Sequence, residues 1–298
     1  MAGRAVSGRG LIFGLAAAFG WGLGDLWAGM AGRRIGSSRT LVVAQVSVAI
    51  VATLLVIVVR PDLSGLPKVV PWLVPAAFLG AAAYATLYRG LELGPIAVVS
   101  PVLATYAVLP VFLSVILLDE SLGAVEWAGA AITIAGAVLT STDLRALRGG
   151  SFTRFAGLPW AVASTLLFGV ATYVLGWSAK EAGFLASMWF ARGTLSIVVV
   201  LVALFVWVRS HRRGDAPVQR SPSALRLAAL AGVVELLGTM AYARGAEVGL
   251  LSIVTAASAT YPFIPVLGGV ALLHERLVPN QYVGVALVVA GLMLLAFG

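Results

Sequence analysis

Few side chains in this sequence could do chemistry, and most stand alone in apolar surroundings. Glu235 lies inside LAGVVELLGTMAY (230–242), with no opposite charge within one helical turn. At mid-membrane an acidic side chain costs roughly 2.5–3.5 kcal/mol on insertion scales. Two roles fit such a group: a cavity-facing site that exchanges protons, or a neutral acid hydrogen-bonded to a neighbouring helix. Asp25 sits in GWGLGDLW (20–27), where Gly20 and Gly24 form a small-xxx-small face and Trp21 and Trp27 flank the acid. A cavity role and an interfacial, snorkelling role fit it equally. Arg192 can pair with a carboxylate, bind an anion, or snorkel to the membrane surface. Tyr84, Tyr88, Ser100, Tyr106, Tyr242, Thr255, Ser258 and Tyr261 supply rings and hydroxyls to an amphipathic cavity rather than an ion-coordinating cage.

Enzyme chemistries find little support. GLGD (22–25) matches the signature of intramembrane aspartyl proteases, but that reaction needs a second intramembrane aspartate. Asp62, Asp119, Asp143 and Asp215 all fall in or beside loops. His211 and His274 form no metal-binding pair, and there is no H-E-x-x-H. The chain has no cysteine and no ATP-binding loop. No metal, cofactor or catalytic residue is expected.

The elements that must position these groups are membrane helices. Of 298 residues, 60% are hydrophobic and 11% charged, and the mean hydropathy is +1.02. A water-soluble domain carries roughly 25% charged residues. The apolar runs place spans at 10–30, 40–59, 69–91, 95–118, 122–141, 156–176, 185–208, 224–247, 250–272 and 279–297. Arg4, Arg9 and the run from Leu11 imitate a secretory signal, but the run is too long and reads as the first span. Ten spans use up the chain and leave no room for a soluble domain. Pro101, Pro110, Pro262 and Pro265 predict interruptions in spans four and nine. The polar stretches Thr142–Arg154 and Arg209–Ser223 read as connectors. The net charge of +8 sits in short loops, where it orients spans and meets anionic lipid, so nucleic acid is not an expected partner.

A second copy of one stretch organises the chain. Arg89, Gly90, Glu92 and Gly94 return at an offset of 155 as Arg244, Gly245, Glu247 and Gly249. Thr105 and Tyr106 return as Thr260 and Tyr261, Pro110 as Pro265, and Glu120 as Glu275. Gly129 and Gly136 return as Gly284 and Gly291, which read as close-packing sites between helices. The expected fold is therefore an all-α integral membrane protein of ten transmembrane helices, built as two inverted five-helix repeats, 1–148 and 149–298. Five spans per repeat make the second enter the membrane from the opposite side. Arg89/Glu92 and Arg244/Glu247, each spaced i,i+3, then lie on opposite faces, as helix-end ion pairs or as gates.

The blocks YRGLELGPIAVVSPVLATYAVLPVFLSVILLDESLGAVEWAGAAITIAGAVL (88–139) and ARGAEVGLLSIVTAASATYPFIPVLGGVALLHERLVPNQYVGVALVVAGLML (243–293) resemble the end of an EamA domain. That domain is the repeat of the drug/metabolite transporter superfamily. The resemblance implies a secondary transporter of small organic metabolites such as amino acids, in the cell (inner) membrane. It implies alternating access between the repeats, with export the expected direction and proton coupling an open addition. Partners would be the lipid bilayer and a small-molecule substrate, with monomer and homodimer both open. The alternative is a non-transport membrane protein: a channel, a scaffold or an intramembrane enzyme. The resemblance places both termini in the cytoplasm, whereas the arginine distribution favours both termini outside.

Overall fold

A computed structural model describes residues 2–93, 102–103, 105–141, 144, 157–211, 221–261, 263–264 and 278–297. Among the described residues the chain is all helix, with no strand. The first half contributes α1 (Ala2–Ile35), α2 (Ser37–Val59), α3 (Leu66–Leu93), α4 (Val108–Leu117) and α5 (Ala124–Ser141). The second contributes α6 (Leu158–Ala182), α7 (Phe184–His211), α8 (Pro222–Val248), α9 (Leu251–Ser258) and α10 (Pro279–Phe297). Helices α1, α2, α3, α6, α7 and α8 are each long and apolar enough to cross a bilayer. Shorter apolar helices span Thr105–Leu117, Ala124–Leu139 and Pro279–Leu295. Large apolar side chains such as Phe19, Leu54, Trp72, Phe78, Leu166, Phe205 and Met293 are exposed on the outside, the arrangement of a body solvated by lipid. The protein is a multi-pass membrane protein.

Several spans differ from those read off the sequence. Helices α1 and α6 run longer than 10–30 and 156–176, because the apolar pattern does not mark where a helix emerges from the membrane. Span four is not one helix: a 3₁₀ turn at Thr105–Ala107 precedes α4. Span nine likewise breaks after Ser258, where Thr260 N–H bonds to Ala257 O and Tyr261 N–H to Ser258 O. Pro110 falls in the first turn of α4, where its missing N–H leaves no gap, so the turn before it makes the interruption. Pro101, Pro262 and Pro265 lie outside the described residues, as do nearly all of 142–156 and 212–220.

Small residues set the helix contacts. A Cβ on Gly20 would lie 2.6 Å from Gly238 Cα, so the α1 and α8 backbones touch. A Cβ on Gly136 would meet Val288 N at 2.6 Å and Gly284 O at 2.9 Å, and one on Gly129 would meet Gly291 O at 3.0 Å. Without hydrophobic pressure between helices in lipid, close approach is what holds them together.

The same contacts recur with the halves exchanged. Gly22 on α1 packs against Tyr261 O and Ile264, while Gly169 on α6 packs against Tyr106 O and Leu109. Gly36 (φ 84, ψ 148) joins α1 to α2, and Gly183 (φ 79, ψ 145) joins α6 to α7. These glycines set the first two helices of each half at an offset of 147 (Gly183 against Gly36), whereas α3 and α8 keep 155. The shift falls in the connector before α8, which is longer than Arg60–Gly65 before α3. In that shorter turn the Asp62 carboxylate accepts the Ser64 N–H at 2.8 Å and its hydroxyl at 2.9 Å. Those bonds, the backbone one foremost, hold its pKa below the usual carboxylate value.

Candidate functional site

Between the two halves lies a cavity of about 160 Å³, roughly ten times what a single water needs. Of the residues singled out in the sequence, Trp21, Asp25, Tyr84, Tyr106, Arg192, Glu235 and Tyr261 line it. Phe168, Thr172 and Thr239 line it too, with Leu103 and with leucines and alanines from α3, α6 and α7 completing the wall. A smaller pocket of about 40 Å³ shares Asp25, Tyr84 and Glu235 and reaches Thr40 and Gln45 on α2.

The centre of the site is an ion pair. Arg192 on α7 donates through Nη2 to Glu235 Oε2 on α8 at 2.6 Å, and Tyr84 on α3 donates to Oε1 at 3.0 Å. Both carboxylate oxygens of Glu235 are therefore engaged. Arg192 is 7% exposed and turned inward, so the snorkelling role is excluded by its position. The sequence left Glu235 without a partner because the partner comes from another helix, 43 residues away. A mid-membrane charge pair of this kind carries less cost than a lone carboxylate, since each ion replaces part of the other's lost hydration. Below it, Trp21 Nε1 donates to Thr239 Oγ1 at 3.1 Å, and the threonine hydroxyl donates to Glu235 O at 3.1 Å.

Asp25 differs from Glu235. It lines both pockets, is exposed to their open space, and among the described residues makes no hydrogen bond or ion pair. The cavity rings fall into two groups: Trp21, Tyr106 and Tyr261 in series at 6.4 and 6.1 Å, and Tyr84 edge-on to Phe168 at 5.0 Å.

Three sequence candidates do not reach the cavity. Tyr242, Thr255 and Ser258 are fully buried behind it, because their hydroxyls satisfy one another and the backbone. Tyr242 Oη lies 2.8 Å from Thr255 Oγ1, Tyr106 Oη lies 2.9 Å from Ser258 Oγ, and Ser258 donates to Thr255 O at 2.9 Å. The rings of Trp21 and Tyr242 lie 5.4 Å apart at a tilt of 33°, so Tyr242 backs the cavity wall. Ser100 lies outside the described residues, as do the side chains of Tyr88, Arg89 and Glu92 on the last turns of α3. Arg244 and Glu247 form their i,i+3 ion pair at the end of α8. Glu247 also accepts the Phe184 N–H at 3.4 Å, and the Arg244 guanidinium lies 5.3 Å from the Phe184 ring, tying α8 to the α6–α7 turn.

A second buried acid stands near that end. Glu120, 7% exposed, accepts the N–H groups of Leu251 at 2.8 Å and Ser252 at 3.0 Å, and the Ser252 hydroxyl at 2.7 Å. It thus caps the start of α9 from the other half, where the helix dipole favours a negative charge. Lys180 stands 3.1 Å from Glu120 and donates to Gly249 O at 3.0 Å. The repeat in the sequence marked Glu120 by its copy Glu275, but not its partners, which lie far along the chain. Phe168 and Thr239 were legible in principle: they are the repeat counterparts of Trp21 and Tyr84.

A helical membrane protein whose two halves repeat each other's contacts around a largely apolar cavity holding a few charged groups has the architecture of a membrane transporter. A family model for the EamA-like transporter family matches residues 8–142 and 155–297. The chain belongs to that family, within the drug/metabolite transporter superfamily, a family of transporters rather than enzymes. A crystal structure described only as that of a protein superposes with a TM-score of 0.76 at 17% identity, covering 96% of this chain and 95% of the other. At that identity the likeness speaks for the fold alone. No curated protein matches the sequence.

Proposed function

We propose that the protein is a secondary transporter of small organic metabolites in the cell membrane, working by alternating access between two inverted five-helix repeats, 1–148 and 149–298. One observation carries the reading: the cavity is built across the halves. Tyr84 of the first half holds Glu235 of the second, and Trp21 of the first holds Thr239 of the second. A relative movement of the halves changes those bonds and the cavity together, so occupancy and conformation are linked. Export is the direction we assign, and Asp25 and Glu235 are the acids through which a proton gradient would act. The cavity, with Trp21, Asp25, Tyr84, Arg192 and Glu235 at its polar side, is the substrate site, and the ion pairs at helix ends serve as gates.

The test uses the purified full chain in proteoliposomes loaded with a mixed metabolite extract. A pH gradient is applied in either direction, and mass spectrometry follows which compounds leave faster than from protein-free vesicles. Selective loss of one chemical class supports transport. Loss equal to that of empty vesicles under both gradients would remove the proposal. Glu235→Gln is expected to abolish or uncouple the flux while the protein, though less stable, remains inserted in the membrane.

A further inference from the structure

We infer that the cavity selects organic ammonium compounds with an apolar body, held by Asp25 as their counter-charge. The inference rests on the transport reading for where the compound goes, but not for whether it binds.

The charge count of the cavity points this way. Asp25 on α1, Arg192 on α7 and Glu235 on α8 are the charged side chains that line it among the described residues. Glu235 is engaged at both oxygens, and the charge of Arg192 is balanced by it at 2.6 Å. Arg192 Nε has no partner, but it is sealed from the open space and offers nothing to a ligand. A ligand carboxylate would have to displace Glu235 or sit beside two acids without a free cation to meet it. Asp25 alone is both accessible and unpartnered. With both acids ionised the cavity carries one uncompensated negative charge, which a monocation completes.

The walls agree with the charge. Trp21, Tyr84, Tyr106, Phe168 and Tyr261 line the same space, and aromatic faces attract ammonium groups while stacking on apolar bodies. A cage of rings with one carboxylate recognises an amine. A zwitterion would bring a carboxylate that nothing accessible can neutralise. Thr172, the counterpart of Asp25 in the second half, lines the cavity without a charge, so the carboxylate stands on one side of it and orients the bound amine.

Three probes with one phenyl ring separate the cases: phenethylamine (cation), phenylalanine (zwitterion) and 3-phenylpropionate (anion). Equilibrium binding to the purified full chain in detergent tests the inference, and efflux from proteoliposomes tests transport separately. Phenethylamine should bind at least about tenfold more tightly than either other probe, a difference of about 1.4 kcal/mol. Asp25→Asn should erase that preference and Asp25→Glu should keep it. An equal or greater affinity for phenylalanine or 3-phenylpropionate overturns the inference, as does a preference that survives Asp25→Asn or an amine that does not bind. The comparison of probes on the unaltered protein decides the matter even where Asp25→Asn does not fold. Amine binding without any flux leaves the inference standing and removes the transport reading. Flux of a different charge class does the reverse.

Discussion

Arg192→Met tests whether the buried arginine and Glu235 act as one unit. Methionine keeps an unbranched apolar stem but leaves the Glu235 carboxylate with Tyr84 as its side-chain hydrogen-bond partner. Breaking one side of a buried pair costs about 3–5 kcal/mol. The Glu235 side chain is 17% exposed, through the cavity, so water there softens the loss and places it near the low end, about 3 kcal/mol. Glu235→Gln keeps an acceptor for Tyr84 but leaves a guanidinium that is 9% exposed without a counter-charge, a loss of similar size, about 3 kcal/mol. The double variant removes both charges, so it should cost well below the sum of the singles. A coupling of about 2–3 kcal/mol is expected, within the range for residues in direct contact. Equilibrium unfolding in mixed micelles, with all four proteins in one detergent, measures the cycle. Single-variant losses that add to within about 0.5 kcal/mol would refute the pairing. Flux separates structure from function here: the double variant is expected to recover stability but not transport.

Glu120→Ala strands the N–H groups of Leu251 and Ser252 in a buried place, and unsatisfied donors cost about 1–3 kcal/mol each. Glu120→Gln, which retains one acceptor, should lose less, and micelle unfolding that finds the two variants equal would argue against the cap. Gly36→Ala meets nothing within 4 Å, so its cost comes from the φ of 84 alone, about 1–3 kcal/mol. Gly183→Ala should lose a like amount by the same measurement, and a neutral result at either would contradict the turn geometry. Gly136→Ala forces a methyl into the backbone of α10 and should cost about 1–3 kcal/mol. Gly29→Ala, on the same assay, has open space around it and should be neutral or gain about 0.5–1 kcal/mol. Equal effects at positions 136 and 29 would show that close packing does not decide stability.

The sequence made some features legible because they are local or repeated. Apolar runs located α2, α5, α7, α8 and α10 to within a few residues, since a membrane helix needs a continuous stretch and little else. Gly129, Gly136 and Gly291 were legible as packing sites because small residues recur where backbones meet. Spans four and nine were harder: their breaks at Thr105–Ala107 and after Ser258 are 3₁₀-type turns without a strong sequence mark of their own. The cavity was legible in residue types but not in facing. Tyr84 and Tyr242 look alike in sequence, yet one points to Glu235 and the other is sealed against Thr255. Partnering across helices was the least legible. Arg192 with Glu235 joins residues 43 apart on neighbouring helices, and Glu120 with Leu251 residues 131 apart, which no periodicity reveals.

What the halves share and what they do not share separates scaffold from chemistry. Glycines 22 and 169, 36 and 183, and 129 and 284 keep their place in both halves, so the frame is built twice. The charged groups of the cavity are not. At the repeat positions of Asp25, Arg192 and Glu235 stand Thr172, Gln45 and Gly80, all uncharged. Gln45 shows that the fold tolerates this: it is 1% exposed and accepts the Ser196 hydroxyl at 3.2 Å, an ordinary buried amide. Since one half stands without these charges, helix packing does not require them in the other. Charges in lipid are costly, and a frame that holds together without them has no structural use for three in one cavity. Their place, where Tyr84 and Trp21 of one half grip Glu235 and Thr239 of the next, is also where relative movement of the halves would be felt first. Shared glycine contacts build the frame, and the unshared charges give a ligand something to act on.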